Sequence, residues 1–415
     1  MAHQHIALVD WRWQGHHPNY FVNYAVAIAK AGHRVLPLCS NPEDFSSRLA
    51  ILLSSSSSHE LNTLIDDPIH LTHPKPSKIR PARYRGLHNA WRRFVGLGKQ
   101  LRNLENVKEA NIDMVFFACI YDHDFECFQK VEKRFGFSWS GLYLHARSFH
   151  MPGSPMPYTG VIPRPEKIFS SRSMRSVALL DEGAVKPMNQ IAGDNPVVLL
   201  PDFTDEDLPA EGVVDACLAN KIMSFAQGRP VVCLLGHLQR TKGIDEFTAI
   251  AQKESMRNVF FFLGGEVNWT EIDDASRREI QKVWESAGNV FAHLQHISTD
   301  VEMNAIINIS DVVYAAYRDF PNSSNILTKA AVFEKPVIVS DGYVMAERVR
   351  EYGLGEVVAE GDLDEILEAL NRMLASEYSD ELRSRARWGD YQLVHSVDRL
   401  PECFKHLIEE QGKHT

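Results

Sequence analysis

The sequence predicts an α/β fold in two Rossmann-like domains facing across a cleft, on three observations. The chain has 415 residues, and domains commonly hold about 100 to 200, so two complete cores fit. Short apolar runs alternate with longer stretches of helical spacing along most of its length, the rhythm of βαβ units and parallel sheets. That rhythm breaks at PDFTDEDLP over 201–209. The break separates a first domain over 1–203 from a second over 204–385, and a final helical stretch over 386–415 is expected to pack back on the first.

In the first half, HIALVD over 5–10 reads as a strand and WRWQGHHPNY as a loop. A helix follows over 20–31, Gly32 stops it, and HRVLPL over 33–38 reads as the next strand. Parallel pairing needs such a crossover, whose right-handedness puts the first loop at the carboxyl edge of the sheet. The serine run at 54–58 and the segment THPKPSKIRP have loop composition, so 54–81 is expected to be irregular. MVFFAC and WSGLYL, at 114–119 and 139–144, resume as buried strands around a helix over 125–135. A proline- and glycine-rich loop over 151–165 leads to a helix over 166–180 and the strand VVLL at 197–200.

The second half repeats the pattern, with strands at 231–235, 259–263, 290–294, 312–315 and 337–339 and helical spacing between them. Ligands of such sheets bind beyond the carboxyl ends of the strands.

Composition narrows the function. Forty-four basic residues against 54 acidic ones give a net charge of −10, which argues against a nucleic-acid partner. No apolar run approaches the roughly 20 residues that span a bilayer, and MAHQHIALVD lacks the basic-then-apolar pattern of a secretion signal, so a cytoplasmic protein is expected. The six cysteines stand singly, without a C-x-x-C pair. One region departs from the acidic balance: 68–104 has basic residues such as Lys75, Arg92 and Lys99 and no acidic one. Leu87, Trp91, Phe94 and Leu97 within it follow helical spacing. They dock either on the protein's own core, the favoured reading, or, with the basic face of 75–102, on an anionic lipid surface as a peripheral membrane contact.

Two segments of the second half point to phosphate chemistry. FPNSSNILTKAAVFEKPVIV, over 320–339, opens an apolar-periodic helix with small polar residues, where Ser323, Ser324 or Asn325 serves as N-cap. Free amides at a positive helix end suit a diphosphate. GHLQRTKG, over 236–243, follows the strand VVCLL and brings Arg240 and Lys242 to the same sheet edge, where cations stabilise a leaving diphosphate.

With these segments in place, the chain resembles the retaining GT-B glycosyltransferases of family 4. The shared order is a strand, then Gly236, Leu238, Lys242 and Gly243, then Gly264 and Gly265 after a strand, then a loop, a helix and the K-P-V-I strand beginning at Lys335. The likeness covers 231–358 and is only topological in the first half. It implies transfer of a sugar from a nucleotide diphosphate sugar to a glycan or other small-molecule acceptor, with retention, no resident cofactor and no metal. Asp122-His123-Asp124 is accordingly read as a strand-end loop rather than a metal site.

The resemblance also assigns residues. Lys242 and an arginine just after the first glycine would hold the donor diphosphate. The latter position is His237, so Arg240 is expected to supply the charge. Gly236, Asn322, Ser323, Ser324 and Asn325 complete the donor set, with Gly15 and His16 from the loop after the first strand. His145, after the strand at 139–144, would face the transferred sugar, and His17, Arg147 and His150 would meet the acceptor. Two positions depart from the pattern: the family's paired glutamates, which grip sugar and ribose, are Pro321 and Lys329 here. Asp319 is the nearest carboxylate to stand in for the first, and Glu347 matches a glutamate often found before the family's next helix. The departures keep two rivals open: a non-catalytic GT-B protein that binds sugar nucleotide or glycan, and a sugar-nucleotide epimerase.

Overall fold

The computed structural model describes residues 3–54, 59–75, 78, 82–108, 111–121, 128–144, 165–209, 218–297 and 299–409. Contacts divide the chain into two compact units, Met1–Pro201 with Val397–Thr415, and Asp202–Ser396.

Seven strands in the first unit form one parallel sheet: β1 (His5–Asp10), β2 (Arg34–Cys39), β3 (Ile69–His70), β4 (Met114–Ile120), β5 (Trp139–Tyr143), β6 (Val177–Leu179) and β7 (Val197–Leu199). Their order is β3-β2-β1-β4-β5-β6-β7, so the winding reverses between β1 and β4. The central strands are buried along nearly their whole length, which is why they read as unbroken apolar runs. The C-terminal helix Leu400–Glu409 closes this unit. Phe404 packs its ring 5.2 Å from Tyr24 and 5.0 Å from Phe116, and buried Ser176 donates to the Leu407 carbonyl at 2.7 Å.

Six strands form the second sheet, again parallel: β8 (Val231–Leu235), β9 (Phe260–Gly264), β10 (Val290–His293), β11 (Val312–Ala315), β12 (Val337–Ser340) and β13 (Gly355–Val358). The order β10-β9-β8-β11-β12-β13 reverses between β8 and β11. Ligands of doubly wound sheets bind at such reversals.

Several expectations are corrected. The helix expected over 166–180 is a short 3-10 turn, Pro165–Ser170, followed by β6. Ile168, Phe169, Met174 and Val177 are buried, and the Val-Ala-Leu triplet is wholly buried between β5 and β7. Asp181 then caps the helix Glu182–Ala192 by accepting from the Ala184 amide. Within 54–81, expected to be irregular, lie the helix His59–Leu64 and β3. The return to the first unit comes at Val397, later than the expected 386, because Trp388 and Tyr391 of the helix Trp388–Val394 are buried in the second unit's core.

The basic segment forms the helix Ala82–Lys108. Phe94 and Leu97 are buried in the first core and Trp91 packs against it, so most of the apolar stripe is used inside the protein. Arg92 donates to the Lys75 carbonyl at 2.7 Å, and Lys99 is exposed. An anionic surface would therefore meet the basic side chains alone. Among the described residues no helix is long and apolar enough to cross a membrane.

Candidate active site

The loops after β8 and β11 flank the reversal of the second sheet, and the structure joins them. The β8 loop ends in a 3-10 turn, Arg240–Lys242, and Gly243 leaves it with a left-handed φ of 70° to start the helix Ile244–Ala251. A Cβ at Gly243 would lie 2.6 Å from the Ala316 carbonyl, so only glycine lets the two loops approach this closely. Arg318 donates its amide to the Thr241 carbonyl at 2.9 Å. The Lys242 ammonium sits over Tyr317 and Phe320, 3.8 and 5.0 Å from their ring centres. These rings hold the cation at the sheet edge without neutralising it.

Beneath this contact Arg318 pairs with buried Glu246. Half-buried Asp245 has its carboxyl pushed up by burial, against the opposing pull of Arg318 and Arg240. Arg240 and His237 are exposed.

Gly236 follows β8 with a φ of 108°. Its amide donates to the Gly264 carbonyl at 3.0 Å, and the Leu238 amide to Glu266 at 2.8 Å. Gly265 lies so close that a Cβ there would fall 1.8 Å from the Gly236 carbonyl oxygen. The glycine pair after β9 thus sets the path of the loop that carries Arg240 and Lys242.

The β11 loop leads into the helix Asn325–Val332, with Ser324 as an extended N-cap that makes no side-chain cap bond. The first-turn amides of a helix have no partner within it, so this start offers backbone donors. The neighbouring side chains are used inside the unit. Ser323 donates to Asp202 and accepts from Arg348 at 2.6 Å. Arg348 and Asp202, each 2% exposed, form a buried ion pair at 3.3 Å. Asn325 donates to the Phe203 carbonyl at 2.9 Å and accepts from Thr204 at 3.3 Å. What this helix start presents to a ligand is accordingly its backbone more than the side chains of Ser323 and Asn325. Asn322 is half-buried beside them.

Lys329, on the same helix, is 3% exposed and meets Asn304 at 2.8 Å, Asp300 at 3.2 Å and Asp205 at 3.4 Å. It ties the helix to the helix Asp300–Ile309 and to the segment after Pro201. Asp319 is exposed and holds a left-handed φ of 45°, its amide donating to Glu360 at 3.0 Å. A non-glycine residue in this region stores strain, which clusters at functional loops. Glu347 is exposed in the first turn of the helix Val344–Tyr352. Near it, Arg350 pairs with Asp341 through two bonds of 2.6 and 2.7 Å, which hold the Asp341 carboxyl below its ordinary value.

At the first unit's reversal, Gly15 and His16 are exposed on the loop after β1, Gly15 with a φ of 59°. His17 is not a loop residue as expected but the first residue of the helix His17–Lys30, and it is buried. Its Nδ1 lies 2.8 Å from Asp10 and its Nε2 2.9 Å from the Tyr121 hydroxyl. His145, Arg147, His150 and Asp122-His123-Asp124 lie outside the described residues.

Sequence reasoning missed Tyr317 and Phe320 as the seat of Lys242, the Asp202–Arg348 pair behind Ser323, and Asp10 with Tyr121 around His17. One signal was available: HIALVD places a carboxylate at the end of an otherwise apolar strand, where a buried acid needs a partner.

Two doubly wound parallel sheets in one chain define the GT-B fold class. Within it, residues 220–392, nearly all of the second unit, match the family described as glycosyl transferases group 1. Among solved structures, sucrose-phosphate synthase from Thermosynechococcus elongatus is 16% identical with a TM-score of 0.66, covering 98% of each chain. HepE of Anabaena, solved in complex with UDP and glucose, is 12% identical with a TM-score of 0.64, over 98% of this chain and 100% of that one. WaaG, a glycosyltransferase involved in lipopolysaccharide biosynthesis, is 15% identical with a TM-score of 0.59, over 97% and 99%. At these identities the likeness establishes the fold. A search of curated protein sequences found no match.

Proposed function

We propose that the chain transfers a glycosyl group from a nucleotide diphosphate sugar, bound by the second unit, to a hydroxyl-bearing acceptor bound by the first. The observation that carries this reading is the seating of Lys242 over Tyr317 and Phe320, which joins the β8 and β11 loops at the sheet reversal. As the glycosidic bond breaks, its electron pair leaves with the diphosphate. Lys242, Arg240 and the amides beginning the helix Asn325–Val332 are the groups that stabilise that charge. Gly236, His237 and Asn322 line the same loops. Asp319 and Glu347 are the carboxylates proposed to meet the sugar, and Gly15 and His16 the residues of the first unit that approach donor and acceptor. Retention and independence of a metal are part of this proposal, on the resemblance to family 4.

A second reading, a non-catalytic binder of sugar nucleotides, is favoured by Lys329: the position of the family's ribose-gripping glutamate is filled by a buried, fully engaged lysine. Incubation with UDP-, GDP- and ADP-sugars, followed by assay of released nucleotide and analysis of the sugar, separates the readings. Nucleotide release stimulated by an acceptor is expected. Binding without release would favour the second reading, and conversion of donor to an isomeric donor would favour an epimerase.

A further inference from the structure

The β11 loop, residues 316–324, is irregular along its length and carries Tyr317 and Phe320, the two rings beneath Lys242. Charged side chains fasten it at both ends. At its start Arg318 pairs with buried Glu246, on the helix that follows the β8 loop, and donates its amide to the Thr241 carbonyl at 2.9 Å. Between the ends, the Asp319 amide donates to Glu360 at 3.0 Å. At its far end Ser323 stands between the two members of a second pair. Its hydroxyl donates to Asp202 and accepts from Arg348 at 2.6 Å, while Arg348 and Asp202 themselves meet at 3.3 Å.

This far fastening draws on distant parts of the second unit. Arg348 belongs to the helix Val344–Tyr352, and Asp202 is the unit's first residue. The Asp202 amide donates to His395 Nδ1 at 3.1 Å, and the residues after it hold the same helix start: Phe203 accepts from Asn325 at 2.9 Å and Thr204 donates to it at 3.3 Å. Desolvating two charges costs about as much as their attraction returns, so a buried ion pair adds little stability over an apolar replacement. It is better suited to fixing one arrangement of the groups it joins. Here the group joined is the hydroxyl that ends the β11 loop, and one guanidinium nitrogen serves both Asp202 and Ser323.

We infer that Arg348 and Asp202, acting through Ser323, are positioning residues for the donor diphosphate. They hold the β11 loop so that Lys242, seated on Tyr317 and Phe320, is in place before the ligand arrives. This rests on the nucleotide-diphosphate reading of the second unit's site and adds the residues that set its preference for a diphosphate over a monophosphate. None of the three needs to touch the ligand. Donors fixed in advance need no rearrangement when charge develops on the leaving group, and first-row groups stay in place only if the residues behind them are locked. A nucleoside monophosphate has one phosphate fewer to engage Lys242 and its neighbours, so loosening the loop affects it less.

The test titrates the full chain with UDP, GDP and ADP and with UMP, GMP and AMP. The quantity read, for whichever base binds, is the ratio of diphosphate to monophosphate affinity, alongside the melting temperature. Ser323→Ala removes the shared hydroxyl and leaves the ion pair. Arg348→Lys keeps a cation beside Asp202 but gives up the planar fork that also reaches Ser323. Each is expected to lower the ratio about tenfold, the size of one lost hydrogen bond to a charged group. The double variant should lose no more, since both changes act through one fastening. Ser323→Thr, which keeps a hydroxyl, is expected to recover most of the ratio. Variants that melt lower yet keep the ratio would overturn the inference, because the pair would then be structural only. A loss confined to Ser323→Ala would overturn it by making Ser323 a direct ligand, and losses that multiply in the double variant would overturn it as well. In each of these cases diphosphate binding by the wild type, lost in Lys242→Ala, leaves the proposed function standing. A wild type that binds none of the three diphosphates removes that site and this inference with it.

Discussion

Lys329→Glu, which restores the residue type that the resemblance expects at this position, is expected to destabilise the second unit by about 3 to 5 kcal/mol rather than to improve a ribose site. The native ammonium is surrounded by Asn304, Asp300 and Asp205 within 3.4 Å and is 3% exposed. A carboxylate there would face two others in place of the ammonium that now lies between them. Breaking a buried pair by removing one partner costs about 3 to 5 kcal/mol, because the remaining charge is stranded. For a unit of this size the melting temperature should fall on the order of 10 °C. Lys329→Met keeps much of the volume, and Asp300 and Asp205 are partly exposed, so it should lose less. Melting curves that place Lys329→Glu within about 1 kcal/mol of wild type would show that the lysine is not held as described.

Gly265→Ala is expected to cost on the order of 3 kcal/mol and to weaken nucleotide binding at least tenfold. At a φ of 142° the residue adopts a backbone that L side chains rarely take, and the added Cβ would overlap the Gly236 carbonyl oxygen at 1.8 Å. Strain of about 1 to 3 kcal/mol is typical of such backbone positions before any steric overlap. Relief requires moving the Gly236 turn, and with it the path to Arg240 and Lys242. Gly288→Ala is the internal control, since nothing lies within 4 Å of its Cβ position and its φ is ordinary. Urea midpoints and nucleotide titrations of both variants check the claim, which fails if Gly265→Ala behaves like Gly288→Ala.

Most of the sheet framework was legible because central parallel strands are apolar on both faces and therefore read as continuous runs. β3, with two residues, and β6, with three, are too short for that signal. The second unit's glycines and cations were legible because local geometry in two loops requires glycine: Gly243, after β8, must be left-handed and Gly265, after β9, must admit a neighbouring backbone. The supporting shell was not legible, because its partners are remote in sequence. Asp202 meets Ser323 and Arg348 across 121 and 146 residues, and His17 meets Tyr121 across 104. A lysine at position 329 reads as a lost glutamate until Asn304 and Asp205 are seen around it.

The account stands most directly on Lys242. Calorimetric titration of the full chain with UDP, GDP and ADP should show binding of at least one. Lys242→Ala should weaken that binding roughly 10- to 100-fold, the effect of losing one charge-assisted contact of about 1.5 to 3 kcal/mol, without lowering the melting temperature appreciably. Absence of binding by all three nucleotides, or an affinity unchanged in Lys242→Ala, would contradict a diphosphate site at the reversal of the second sheet.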